Sequence, residues 1–77
     1  MATHFSNGDK ILQAVLADTK LSELGEYTPT GIETISDALD SENAIIRVVA
    51  MIIDGNENRY TQKEIYNQVS NYLIQKL

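Results

Sequence analysis

Ten consecutive residues, Ala44 to Ile53, decide what this chain can become. They are apolar except for Arg47. Six of the ten are β-branched, a composition that by propensity favours a strand. No second β-rich run exists to pair with it, and a lone strand would leave its backbone N–H and C=O groups without partners. A helix satisfies those groups internally, so the segment is expected to be helical and to form the core element. It is about half the roughly 20 residues needed to span a bilayer.

The flanking sequence reads as further helices. Ser6 is followed three residues later by Asp9, the arrangement of an N-cap with an acidic partner. Ile11, Leu12, Val15 and Leu16 then recur on one helical face. Leu21 and Leu24 fall off that stripe, so the first helix is expected to end or bend near Thr19, with a short turn to Gly25. Residues 25–31 are turn-rich, and Pro29 biases Thr28 toward an extended backbone. Thr30 with Glu33 reads as a capping box for a helix carrying Ile32, Ile35 and Leu39. Asp40-Ser41-Glu42-Asn43 reads as a polar break before the central run; the alternative is one unbroken helix over 31–54, which Ile32, Ile35, Leu39, Ile46, Val49 and Ile53 fit except at Glu42, and Asp54-Gly55 is the expected stop. Thr61 and Glu64 make a second capping box, with Tyr60 and Ile65 placed for a hydrophobic staple. Ile65, Val69, Tyr72 and Leu73 form the face that follows, and Lys76 stands near its C-terminal end.

These signals specify an all-α fold, a small compact bundle of about four helices over 7–19, 30–40, 42–54 and 61–76. The third helix serves as buried axis. Residues 1–77 form a single helical domain in which 1–6 are a flexible start. With 77 residues and no Cys, stability must come from helix packing or from a partner.

Composition narrows the function classes. The absence of Cys excludes a disulfide scaffold, a thiolate metal site and a cysteine nucleophile. Six Lys and Arg against eleven Asp and Glu give a formal net charge of −5, which opposes binding to a phosphate backbone. The N-terminal stretch lacks the apolar run of a signal peptide, and a cytoplasmic, soluble chain without membrane attachment is expected. His4, the single histidine, lies in the flexible start and has no HxxxH or HxxE companion. Glu33 and Asp37 are four apart, an acidic helix face rather than a catalytic pair. No Gly-rich phosphate loop and no G-x-S-x-G elbow occur.

Asp54, Asn56, Asn58 and Glu64 alternate as oxygen ligands would in a loop between two helices. The segment resembles an EF-hand calcium-binding helix–loop–helix, which implies a degenerate calcium or ligand sensor. It is one residue short, lacks the glycine of the sharp turn and carries Arg59 beside the ligands. A polar interhelix turn with Glu64 as cap accounts for the same residues. Ile45 to Val69 resembles the first two helices of a helix-turn-helix DNA reader, which implies a DNA-binding regulator. A recognition helix should follow, yet only residues 70–77 remain. Asp40-Ser41 falls where a small acidic carrier domain would have its attachment serine, but Glu42 follows instead of Leu.

The favoured expectation is a non-enzymatic protein-interaction or regulatory module. It would act by helix-face docking or self-association, as a homo-oligomer, with no cofactor and no metal. Tyr66 and Ile74 lie off the Ile65–Val69–Leu73 stripe, with Leu77 farther round, and these three with Tyr27 are the candidate interface residues.

Overall fold

Every helix start among the described residues is marked by a short polar side chain that accepts a backbone N–H. The computed structural model describes residues 5–26 and 31–75, which form α1 (Asn7–Ala17), α2 (Thr19–Gly25), α3 (Ile35–Leu39), α4 (Ala44–Asn56) and α5 (Gln62–Gln75). The fold is all-α, with no strand among the described residues. The run Ala44–Ile53 is helical as expected.

Ser6 and Asp9 form the capping box of α1, and Thr61 and Glu64 form that of α5. Ser6 is therefore a fixed cap and not part of a flexible start. Asn43 Oδ1 accepts from Ile45 and Ile46 at the start of α4, so the break at residues 40–43 is real. Helix α4 passes through Gly55 and ends at Asn56, whose side-chain amide donates to the Ile52 carbonyl at 2.7 Å.

Two further elements differ from the sequence expectation. The turn expected at 19–25 is a helix, because Asp18 Oδ1 caps it by accepting from Leu21 N–H and because Leu21 is buried. The helix expected over 30–40 spans only Ile35–Leu39. Its capping box is Thr34 with Asp37, one turn later than Thr30 with Glu33, and Thr30 itself lies outside the described residues. Gly31 has φ +81°, a left-handed conformation that glycine adopts without strain and that cannot continue a right-handed helix. The described residues accordingly form a small bundle of five helices, four of them seven residues or longer, which matches the expected bundle of about four.

The core is aliphatic. Leu12, Val15, Ile46, Val49, Ile53, Ile65, Val69 and Leu73 are fully buried, and α2 and α3 add Leu21, Ile35 and Ala38. No polar or charged side chain is buried among the described residues. Helix α1 packs against each of the other four, whereas α4 packs against α1, α3 and α5. Helix α4, the third helix of the sequence expectation, is thus not a buried axis. It buries one face through Ile46, Val49, Ala50 and Ile53 and leaves Met51 60% exposed on the other. Helices α1, α3 and α5 stand against the buried face of α4 and leave the opposite face uncovered.

Candidate interaction surfaces

Five of the eleven carboxylates, those of Asp9, Asp18, Asp37, Glu57 and Glu64, accept from the chain's own backbone N–H groups. Asp9 serves two helices at once. Its Oδ2 accepts from Ser6 N–H at 3.0 Å, and its Oδ1 accepts from Ile35 N–H, the first residue of α3, at 2.8 Å. Burial opposes ionisation of Asp9, but the N–H groups of Ile35 and Ser6 and the Ser6 hydroxyl outweigh it and hold its carboxyl below the ordinary aspartate value. Asp37 accepts from Glu33 and Thr34 N–H, which lower its pKa in the same way. Glu33 therefore precedes the helix rather than sharing an acidic helix face with Asp37. Glu57 Oε1 accepts from Gly8 N–H at 2.9 Å and so ties the α4–α5 connection to the first turn of α1. A methyl at Gly8 would stand 3.1 Å from that carboxyl carbon, so the close approach depends on glycine.

Of the two expected interface residues that the structure describes, Tyr66 has a side-chain partner inside the fold. Its hydroxyl donates to Asp18 Oδ2 at 2.6 Å and is the main reason the Asp18 carboxyl is held below its ordinary value, followed by Leu21 N–H. Its ring is half-buried against the core. It also lines a shallow cleft of about 230 Å³ between α1 and α5, with Ile11 and Ala14 as floor and Lys10, Gln62 and Lys63 around it. Ile74, on the same helix, is 56% exposed. Tyr66 and Ile74 therefore do not form one continuous outward strip: the first is spent largely on α1 and α2, the second on solvent. Tyr27 and Leu77 lie outside the described residues, as do His4 and Lys76.

The segment with EF-hand spacing has a different geometry. Asp54 and Asn56 belong to α4, Asn56 turns back onto Ile52, and Glu64 closes the α5 capping box through Thr61 N–H and Thr61 Oγ1. Among the described residues no group of three or more His, Asp or Glu side chains is gathered to hold a metal. Helix α5 runs unbroken from Gln62 to Gln75, so no separate recognition helix follows it within the described residues. No described helix is long and apolar enough to cross a membrane.

The surface that sequence reasoning missed is the outer side of α4. Ala44, Met51 and Gly55 are exposed and Val48 is half-exposed. The signal was present in the all-round apolar character of the run. Taken alone, that character reads as a core element on every side. No family model, curated protein or solved structure matches this chain.

Proposed function

We propose that this protein is a non-enzymatic interaction module that works by docking a helix face onto another protein chain. One observation carries the reading. The aliphatic core is completed by fourteen buried residues drawn from all five helices, yet Met51 and Ile74 remain 60% and 56% exposed, on α4 and α5. Isolated exposed apolar residues are normal on any protein. Met51 is not isolated, because the apolar side chains of α4 continue around it. The carboxylates with lowered pKa are engaged with backbone N–H groups or the Tyr66 hydroxyl, which suits a structural duty for them.

A photo-crosslinking amino acid at position 51 or 74, compared with one at the exposed position 63, tests the reading in native lysate. Protein adducts are expected at 51 or 74 and not at 63. Equal labelling at all three positions, or none, overturns it.

A further inference from the structure

The outer side of α4 carries a second apolar seam opposite the buried one. Ala44, Val48, Met51 and Gly55 succeed one another at intervals of four, three and four residues, the spacing with which one helix meets another at a shallow angle. The four lie on a face centred roughly 180° from Ile46, Val49, Ala50 and Ile53, and none is charged. The larger side chains, Val48 and Met51, sit in the middle of the seam and the small residues at its ends.

The two flanks of the seam differ. On one side Ile45 and Ile52 are half-buried against the core and widen the apolar strip. On the other side stand Arg47 and Asp54, two turns apart. One Arg47 N–H donates to the Ser41 carbonyl, and the guanidinium has further donors to offer.

Resting on the reading above, we propose that the occupant of this face is a second copy of the chain, bound through α4 against α4 in antiparallel register about a two-fold axis. In that register Val48 faces the partner's Met51, and Ala44 faces the partner's Gly55, so large meets large and small meets small. Arg47 of each copy meets Asp54 of the other, twice per dimer, which is the charge complementarity that singles out a second copy. A parallel pair would place Arg47 beside an isoleucine flank and gain nothing from Asp54. The helix is about 20 Å long, so the interface falls below the size of a standard stable complex and the dimer is concentration-dependent.

Sedimentation equilibrium between about 10 μM and about 1 mM reads the association, with circular dichroism as a control for folding. The wild-type mass should rise from 8.6 kDa toward twice that value. Met51→Glu, at an exposed position, should leave the helical spectrum unchanged and hold the chain at its monomer mass. Arg47→Glu and Asp54→Arg should each weaken self-association about tenfold or more, because two attractive pairs become two repulsive ones. An equimolar mixture of those two variants should recover association to within about threefold of wild type, since each then meets its complement. A wild type that stays monomeric, single variants that associate as well as wild type, or a mixture no better than its components overturns the proposal. A monomeric wild type that still crosslinks to other proteins from position 51 removes the second copy alone. No crosslink to any protein removes the interaction reading as well.

Discussion

Replacing Asp9 with alanine separates the two jobs of one carboxylate. Ser6→Ala is the reference: it removes only the hydroxyl that accepts from Asp9 N–H at 3.1 Å, a cap loss of about 1 kcal/mol. Asp9→Ala removes the reciprocal bond from Ser6 N–H, whose donor is exposed and regains water at a cost of about 0.5 kcal/mol. It also strips the partner from Ile35 N–H, which is part-buried at the start of α3 and costs about 1.5 kcal/mol to leave unpaired. The sum is about 2 kcal/mol, already taken at the low end because water screens this carboxylate. In a domain of this size that lowers Tm by roughly 8–16 °C, against roughly 4–8 °C for Ser6→Ala. Thermal and urea unfolding at pH 7 measure both. The pH dependence supplies a second reading. The folded-state pKa of Asp9 is depressed, so its stabilisation is present above the unfolded value near 4 and is lost as pH falls through the folded value. The gap between wild type and Asp9→Ala should close in that acid range. An Asp9→Ala variant no less stable than Ser6→Ala at pH 7, or a gap that persists in acid, refutes the idea that Asp9 joins α1 to α3.

Three further perturbations address other parts of the fold. Ile53→Ala, at a fully buried site of α4, should cost about 3–4 kcal/mol in urea unfolding, while Met51→Ala two residues earlier should stay within about 0.5 kcal/mol; equal costs would place the core face of α4 elsewhere. Glu26 holds φ +53° at the C-terminal cap of α2, so Glu26→Gly should raise stability by about 1 kcal/mol, and a lower Tm would count against that left-handed cap. Tyr66→Phe removes the hydroxyl that most lowers the Asp18 pKa, so NMR titration should show the Asp18 carboxyl moving up toward the ordinary aspartate value. An unmoved titration would mean that the hydrogen bond does not form in solution.

The helices themselves were legible because helix chemistry is local. Ser6 with Asp9 and Thr61 with Glu64 are three residues apart, and the side chain and the N–H it satisfies lie within one turn of chain. The same locality explains the misplaced α3. Thr30–Glu33 and Thr34–Asp37 carry equivalent capping signals four residues apart, and propensity cannot choose between them. The fold chooses, because Asp9 supplies an acceptor to Ile35 N–H across 26 residues of sequence and so fixes where α3 begins. Leu21 and Leu24 leave the stripe of α1, so periodicity alone reads α2 as a turn. In the fold Asp18 ends one helix and caps the next, which redirects Leu21 into the core.

The candidate surface divides along the same line. That residues 44–53 are helical and apolar on nearly every side is legible in the chain, since a lone β-rich run has no strand to bond. Which side of that helix is enclosed and which is left to solvent is set by the packing of its neighbours. Burial depends on where α1, α3 and α5 stand around it, and those positions are set by contacts between residues far apart in the chain. Tyr66 was picked from the sequence as spare apolar surface. Its partner, Asp18, lies 48 residues away, a distance over which no helical periodicity carries information.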